Sequence, residues 1–310
     1  MKNYDKKTKK LTTFQIKLPK YAAKKIKIKL ICDIKNSIYF QGNKRWKLKH
    51  NLIEAKKQQY NTLLTFGGAF SNHIAAVATA GQLFNFNTIG IIRGEIPSKL
   101  NPTLAYAKSQ GMELIPISRE EYRKKQELDF IKKIKTQFKQ PYILPEGGTN
   151  TLALQGCAEI IDTIDFPYNY ICAPCGTGGT LAGLILGTKN NGKVLGFPAL
   201  KGGNFLRKDI QNLLGEANSI ASNWDLITDY HFGGYAKFKP NLIDFINQFK
   251  ATYQIQLDPI YTGKMLFGIF DLIEKDYFPK GSTIVAIHTG GLQGIQGFNN
   301  RFGNILETRK

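Results

Sequence analysis

The sequence is short of acidic residues, and it has no long hydrophobic run. Its 23 Asp and Glu face 43 Lys and Arg, which gives a formal net charge of +20. Near the N-terminus the acidic residues are especially sparse, and only Asp5, Asp33 and Glu54 precede Tyr60. No apolar run approaches the roughly 20 residues that cross a bilayer, and no apolar segment follows the basic N-terminus as it would in a signal peptide. We therefore expect no membrane partner and a cytoplasmic location.

The positive charge does not by itself indicate a protein that binds nucleic acid. Nearly all of the basic residues are lysines, and no aromatic-rich RNA-binding signature lies among them. A lysine-biased protein is the simpler interpretation, and we expect no nucleic-acid partner. The same electric field would favour an anionic small ligand.

Cysteine is also scarce, with four residues in the chain. Cys172 and Cys175 have the CxxC spacing that suggests a redox or metal site. However, no second CxxC and no nearby histidine complete a set of zinc ligands, and the pair closes an apolar run that is typical of a strand. We expect reduced, structural cysteines and no metal.

Short apolar runs alternate with amphipathic segments from about residue 60 onward. Several of these runs lack polar alternation, as strands covered on both faces do. Between them lie helical patterns such as the stripe of Phe130, Ile131, Ile134 and Phe138. This alternation predicts an α/β fold with a parallel sheet and right-handed crossovers. The predicted strands are residues 62–66, 88–92, 113–117, 142–144, 169–173, 194–197, 225–228 and 283–287.

Glycine clusters follow four of the predicted strands, at residues 67–68, 147–148, 176–179 and 290–291. Ligands of parallel sheets bind beyond the carboxyl ends of the strands, where the chain turns toward a helix. The clusters therefore predict one ligand site at that edge, although glycine also closes ordinary turns. The turn at residues 147–150 is in addition a predicted hinge.

The strongest local motif is the GTGGT loop, in which Gly176, Thr177, Gly178, Gly179 and Thr180 join a strand to a helix predicted to begin at about residue 181. Glycine lets successive backbone N–H groups turn toward a phosphate, and the helix N-terminus adds favourable partial charge. A dinucleotide loop fits poorly, because the third glycine and the ribose-binding acid are missing. The loop predicts a site for one terminal phosphate, with a structural turn as the alternative.

A second constellation, Ser71-Asn72-His73, stands at the start of an Ala-rich helix. Ser and Asn are common helix caps and need no further role. The functional alternative is that the three residues hold a substrate carboxylate while Ser71 faces the reacting carbon. Tyr235 and Tyr261 lie in glycine-flanked loops, where a phenol can pack in the core or reach a pocket.

Two more residues complete the set. Thr289 follows an apolar strand and precedes two glycines, so its hydroxyl is predicted to point into the cleft. Lys44 lies in a basic stretch, Gly42-Asn43-Lys44, and taken alone it is either a surface charge or a buried nucleophile.

Taken together, these motifs resemble the D-cysteine desulfhydrase and 1-aminocyclopropane-1-carboxylate (ACC) deaminase family. These are pyridoxal-phosphate enzymes of fold type II, the tryptophan-synthase-β fold. The resemblance runs from about Gly42 to the C-terminus. It covers five motifs in the family's order, namely GNK, GGAFSNH, GTGGT, DPIYTGK and HTGGL.

The resemblance implies a role for each motif. Lys44 would form the Schiff base with pyridoxal 5'-phosphate and act as the base at Cα. Asn72 would bind the phenolic oxygen of the cofactor, residues 176–180 its phosphate, and Thr289 its ring nitrogen. Ser71, Asn72 and His73 would bind the substrate, and Tyr235 and Tyr261 would assist in catalysis. Arg45 and Lys47 are expected to lower the pKa of Lys44.

The resemblance also implies an architecture and an activity. We expect two domains, each with a mostly parallel sheet flanked by helices. Residues 1–54 and 161–310 would form a large cofactor-binding domain, and residues 55–160 a small domain that contributes the substrate-carboxylate loop. A homodimer is expected.

The activity would be a lyase reaction, β-elimination from a small amino acid, with D-cysteine giving pyruvate, sulfide and ammonia. Thr289 favours this reaction, because deaminases of the established type carry a glutamate at the ring nitrogen. There are two alternatives. One is an ACC deaminase-like hydrolase, and the other is a non-catalytic homologue that binds the cofactor or another phosphorylated ligand.

This sequence departs from the family in two places near Lys44. The segment before the GNK motif is shortened and keeps only Asp33 of an acidic run. Trp46 stands where an arginine usually precedes Lys-Leu. These changes predict an altered pocket wall next to the lysine.

Overall fold

The computed structural model describes residues 11–33, 37–215 and 222–307. The first ten residues of the predicted large domain, and part of the shortened segment before Lys44, lie outside these ranges. The strands are β1 (Thr12–Ile16), β2 (Lys27–Cys32), β3 (Thr62–Gly67), β4 (Asn87–Arg93), β5 (Glu113–Ile117), β6 (Tyr142–Leu144), β7 (Tyr170–Cys175), β8 (Lys193–Pro198), β9 (Trp224–Leu226) and β10 (Thr283–Ile287).

Helices connect most of these strands. They are α1 (Asn43–Lys57), α2 (Asn72–Phe84), α3 (Pro102–Ser109), α4 (Arg119–Arg123), α5 (Leu128–Gln137), α6 (Thr151–Ala158), α7 (Gly179–Thr188), α8 (Leu206–Leu214), α9 (Pro240–Tyr253), α10 (Thr262–Glu274) and α11 (Gly294–Phe302). All eight predicted strands are present, and the α/β fold is confirmed.

The strands form two sheets. One sheet has six strands in the order β1-β2-β10-β7-β8-β9, and only β1 runs antiparallel to its neighbour. The other has four parallel strands in the order β5-β4-β3-β6. Strands β1 and β2 were not predicted. The lysines of β2 hide its apolar alternation of Ile28 and Leu30, which are fully buried although β2 lies next to the edge strand β1.

The four-stranded sheet is formed by residues that all lie between positions 55 and 160. The predicted boundary at residues 54 and 55 falls within helix α1, and the one at 160 and 161 falls just before a short 3₁₀ helix, Ile161–Thr163. Helix α1 packs against α6 and α2, which both lie in the predicted small domain, although residues 43–54 of α1 were predicted to belong to the large domain. The domain limits stay a prediction.

Small residues bring helices close together beside the site. A Cβ atom at Gly156 in α6 would lie 2.0 Å from the carbonyl oxygen of Trp46 in α1, and one at Gly183 in α7 would lie 2.4 Å from the Cβ of Cys157. These positions therefore require glycine. The resulting stack of α1, α6 and α7 holds Lys44 next to the GTGGT loop.

Cys172 and Cys175 lie in strand β7, and all four cysteines are buried free thiols. Burial raises the pKa of both thiols, which opposes thiolate formation. In the described part of the chain, none of the helices is long and apolar enough to cross a membrane.

Candidate active site

The position of Lys44 is fixed by the residue two places before it. Gly42 has φ of +64°, and a Cβ atom there would lie 2.2 Å from the carbonyl oxygen of Thr289. The backbone N–H of Asn43 donates to the same oxygen at 3.2 Å. Helix α1 therefore begins in contact with the end of β10, and Lys44 stands in its first turn.

Lys44 is a half-buried lysine that lines a cavity at the carboxyl ends of the strands. Burial, and then the charge of Lys47, lowers its pKa to about 7. Its Nζ lies 3.4 Å from Oδ1 of Asn43. At neutral pH a substantial share of this amine is unprotonated, as a nucleophile or a general base requires.

Lys47, one turn further along α1, is almost wholly buried, with 2% exposure. Its Nζ donates to the carbonyl of Gly147 at 3.0 Å, to Oγ1 of Thr149 at 2.9 Å and to Oγ1 of Thr177 at 3.3 Å. Burial lowers its pKa to about 8. The sequence indicated Lys47 only as a neighbouring charge, whereas the structure places it in contact with the GTGGT loop.

Arg45 does not have the expected role. Its Nε forms a buried ion pair with Oδ2 of Asp33 at 2.7 Å, and its guanidinium stacks over the ring of Trp46 at 4.4 Å. Asp33 also accepts from the backbone N–H of Gly42 at 3.2 Å. Arg45 therefore fixes the segment before Lys44, and the neighbouring cation that lowers the pKa of Lys44 is Lys47.

Trp46 contradicts the expectation of an altered pocket wall. Its backbone packs against Gly156, and its ring packs with the core on that side of the sheet. Trp46 is absent from the residues that line the cavity. The substitution changes the packing of helix α1 and leaves the surface of the cavity to other side chains.

The GTGGT loop runs into helix α7, which begins at Gly179, two residues earlier than predicted. The N-cap residue, Gly178, has φ of +76° and therefore favours glycine. Thr180 accepts a hydrogen bond at 2.8 Å from Nδ2 of Asn43, the residue before Lys44. Gly179 faces Thr149 and does not line the cavity.

Ser71, Asn72 and His73 lie together at the N-terminus of α2 and line the cavity. Ser71 is the N-cap, and its Oγ accepts from the N–H groups of His73 and Ile74 at 3.2 and 3.3 Å. Ser71 therefore serves as a cap and also faces the cavity. The capping and functional interpretations are compatible.

His73 is buried, with 1% exposure, and its ring is directed to the Pro145 carbonyl. Neither ring nitrogen makes a well-formed hydrogen bond within the described residues. Burial, and then the charges of Lys44 and Lys47, holds its pKa well below the usual value. The imidazole is therefore neutral and keeps hydrogen-bonding capacity next to the cavity.

Asn72 is held by a glutamine that the sequence did not single out. Nε2 of Gln293, in the turn after β10, donates to Oδ1 of Asn72, and Oε1 of Gln293 accepts from Oγ1 of Thr103 at 3.0 Å. Because its oxygen is engaged, the amide of Asn72 keeps its NH₂ group free to donate. A contact 221 residues apart along the chain carries no local sequence signal.

Tyr235 and Tyr261 meet at the cavity, with ring centroids 6.2 Å apart in an edge-to-face arrangement. Burial is the main cause of a raised pKa in both hydroxyls, and the interaction between the two side chains also affects both pKa values. Asp258 fixes the turn that carries Tyr261, because its Oδ2 accepts from the Tyr261 N–H at 2.9 Å. Both tyrosines therefore reach the site and do not pack in the core.

The cavity has a volume of about 530 Å³. Thr289 and every other predicted site residue except Gly179 line it. The sequence did not indicate Arg93, Glu146 or Leu200, which also line it. Arg93 had one available signal, since it directly follows the predicted strand 88–92 at the edge where ligands bind.

Comparison with known proteins identifies the family. The family described as "Pyridoxal-phosphate dependent enzyme" matches residues 35–290. The chain belongs to this family of pyridoxal-phosphate-dependent enzymes. The resemblance found in the five motifs is confirmed, and so is the cofactor.

The chain is also similar to an individual plant enzyme. Over 281 residues the chain is 32% identical to the mitochondrial "Bifunctional D-cysteine desulfhydrase/1-aminocyclopropane-1-carboxylate deaminase" of Arabidopsis thaliana, covering 82% of this chain and 69% of that protein.

Two solved structures share the fold. A crystal structure of an ACC deaminase homologue matches 97% of this chain and 95% of its own, with a TM-score of 0.83 and 24% identity. A hydrogen sulfide-producing enzyme from Fusobacterium nucleatum matches with a TM-score of 0.67 and 15% identity, over 94% of this chain and 98% of its own. At these identities the likeness concerns the fold alone.

The residues present fit the cofactor of this family. The GTGGT loop offers backbone amides at a helix N-terminus, threonine hydroxyls and the buried ammonium of Lys47, a set of donors suited to a phosphate. Among the residues that the structure describes, Glu146 is the only acidic one that lines the cavity, and it is engaged by Tyr122 at 2.8 Å and by Lys125 at 3.3 Å. Lys44 and the free donor of Asn72 lie in the same cavity.

Proposed function

We propose that this protein catalyses β-elimination from a small amino acid, with D-cysteine and water giving pyruvate, hydrogen sulfide and ammonia. The observation that carries the proposal is the pair of Lys44 and Thr289. Lys44 has an amine of lowered pKa, and it lies beside the end of β10, where Thr289 bears a neutral hydroxyl. A hydroxyl at the ring nitrogen does not enforce its protonation as a carboxylate does. This arrangement favours prompt loss of a β-leaving group over racemisation or transamination.

Pyridoxal phosphate, when bound, supplies an electron sink that acidifies the Cα hydrogen of an amino acid. Lys44 is the residue that removes this proton, since its unprotonated amine is available near neutral pH. The GTGGT loop and Lys47 would hold the phosphate of the cofactor, and Asn72 would donate to its phenolic oxygen. Thr289 would contact its ring nitrogen.

The substrate carboxylate is assigned to Ser71, Asn72 and His73 at the N-terminus of α2, where the helix dipole favours an anion. His73 supports this assignment, because its neutral ring has unused hydrogen-bonding capacity. Tyr235 and Tyr261 assist as two neighbouring phenols at the cavity, and the hydroxyl of Tyr235 can hold or transfer a proton. We also propose a cytoplasmic homodimer with the two domains described above.

ACC deaminase activity is the second candidate, and the name of the Arabidopsis relative favours it. The two reactions differ in their products. ACC gives 2-oxobutyrate and ammonia without sulfide, whereas D-cysteine gives sulfide and pyruvate.

A product assay on the cofactor-saturated protein tests the proposal. The panel is D-cysteine, L-cysteine, β-chloro-D-alanine, D-serine and ACC, and both sulfide and the 2-oxo acid are measured. We expect sulfide and pyruvate from D-cysteine, lost in Lys44→Ala. Exposed Lys56 in the same helix, mutated to Ala, is the matched control and should retain activity.

Other outcomes contradict the proposal in distinct ways. Product from ACC alone would overturn the role given to Thr289 and establish the deaminase. Cofactor bound without turnover of any substrate would instead support a non-catalytic homologue.

A further inference from the structure

One cation in the cavity has no assigned role in this chemistry. Arg93 is the last residue of β4 and lines the cavity beside the end of β3. Its guanidinium lies against Gly68, since a Cβ atom on that glycine would be 3.5 Å from Nη2 of the arginine. Strands β3 and β4 are parallel neighbours, so Arg93 and the Ser71-Asn72-His73 segment lie at the same edge of this sheet.

The charge of Arg93 is not neutralised within the site. Its one aromatic contact places the guanidinium 5.7 Å from the ring centroid of Tyr122. Over the described ranges, Arg93 has no carboxylate oxygen within ion-pair distance. Glu146, the acidic residue of the cavity, is already bonded to Tyr122 and paired with Lys125. An anion in the cavity would therefore find an available bidentate donor in Arg93.

Arg93 is also placed toward the reacting part of the cavity. Its charge is close enough to act on the hydroxyl of Tyr235, the residue proposed to assist catalysis. The substrate α-carboxylate already has three partners at the N-terminus of α2, so Arg93 is available for a different group. The side chain of the substrate is the part that remains without a partner.

We propose that Arg93 is a specificity-determining residue that binds a second anionic group, carried on the side chain of the amino-acid substrate. This inference rests on the proposed function, because it requires that the cavity bind amino acids. It predicts that acidic amino acids bind more tightly than their neutral isosteres. The class of substrate is thereby extended from small neutral amino acids to those with a terminal carboxylate.

Equilibrium binding to the cofactor-saturated protein tests this proposal with two matched pairs. Aspartate is compared with asparagine, and glutamate with glutamine, each as both enantiomers. The absorbance change of the bound cofactor reports binding, and a shift in Tm provides a second readout. We expect the acid of at least one pair to bind tenfold or more tightly than its amide, as a charge-assisted hydrogen bond provides.

Arg93→Gln should bring that ratio to within about threefold of one, with the Tm of the unliganded protein unchanged. Arg119→Gln is the matched control, because Arg119 lies beside Gly94 and does not line the cavity, and it should leave the ratio as in the wild type. The inference is overturned if no acid binds more tightly than its amide, or if Arg93→Gln leaves the ratio unchanged.

The binding experiment is separate from the test of the proposed function. It needs no turnover, so a ratio near one, together with sulfide release from D-cysteine, would reject the role of Arg93 alone. A high ratio without turnover of any substrate in the panel would reject β-elimination from D-cysteine and leave the role of Arg93 in place.

Discussion

Nζ of Lys264 donates hydrogen bonds to the carbonyl of Gly234 at 2.7 Å and to that of His231 at 2.8 Å. Gly234 directly precedes Tyr235, and Lys264 lies in helix α10, whose N-cap is Tyr261. The buried ammonium of Lys264 therefore connects the loop that carries Tyr235 to helix α10, which begins directly after Tyr261. Burial lowers its pKa to about 8.

Lys264→Met is expected to leave both carbonyls without this donor while preserving the volume of the side chain. Each lost partner of a buried polar group costs about 1–3 kcal/mol, so we expect the free energy of unfolding to fall by about 2–6 kcal/mol in urea denaturation. Displacement of Tyr235 should lower kcat/KM for D-cysteine by on the order of tenfold. The control is Lys275→Met, an exposed lysine at the C-cap of the same helix that should change the free energy of unfolding by less than about 0.5 kcal/mol.

Gln293 offers a test of how Asn72 is oriented. In Gln293→Glu the side chain only accepts when ionised, so Asn72 should turn its NH₂ group toward the glutamate and away from the cavity. Gln293→Leu removes the partner but forces no such reversal. We expect the affinity for pyridoxal phosphate, measured by equilibrium dialysis, to fall about tenfold in the glutamate variant and less in the leucine variant. Equal affinities in the two variants would contradict the proposed orientation.

The lowered pKa of Lys44 predicts a distinctive pH dependence. Only the unprotonated amine reacts with a carbonyl, so the rate at which the cofactor-free protein is modified by pyridoxal should rise as the pH passes through about 7 and level off above it. Pyridoxal is the suitable probe because it lacks the phosphate that Lys47 would bind. A midpoint near the ordinary lysine value of 10.5 would exclude the assigned environment.

Lys47→Met extends this test. Removing the neighbouring positive charge should move the midpoint for Lys44 upward, because a like charge disfavours protonation of the amine. Lys56→Met, on the exposed side of the same helix, should leave the midpoint in place.

The buried ion pair of Asp33 and Arg45 is expected to be costly to break. Arg45→Met removes the guanidinium that pairs with the buried carboxylate of Asp33, and loss of one partner of a buried ion pair destabilises proteins by about 3–5 kcal/mol. The double variant that also carries Asp33→Asn removes the negative charge as well and should recover part of this loss. Urea denaturation of the single and double variants measures the difference.

Local sequence patterns were sufficient for much of the fold. The eight predicted strands are present because an apolar run between turn residues is a local signal. Strand β2 was missed, since its lysines interrupt the apolar pattern although Lys29 is accommodated over the ring of Phe166 at 3.5 Å. Strand β2 is determined by its pairing with β1 on one side and with β10 on the other, and no local propensity indicates such pairing.

Site residues that belong to a sequence motif were predictable. Those that are positioned by contacts between distant parts of the chain were not. Thr289 and Lys44 belong to motifs, and the structure brings both to one cavity. The contact of Gln293 with Asn72 joins segments that follow strands of different sheets, and no local pattern indicates it. The prediction that Arg45 lowers the pKa of Lys44 was wrong, because adjacent residues on a helix point to different sides.

The contact of Gly42 with Thr289 has a mechanical consequence. The backbone at the start of α1 and the backbone that follows β10 are in direct contact, and the N–H of Asn43 donates to the carbonyl of Thr289. We expect these two parts of the site to move as one rigid block, so that any opening for substrate entry comes from displacement of α2 and its Ser71-Asn72-His73 segment. The lysine would then keep a constant distance from the strand end throughout turnover, and the catalytic cycle would alter only the side of the cavity that faces the substrate.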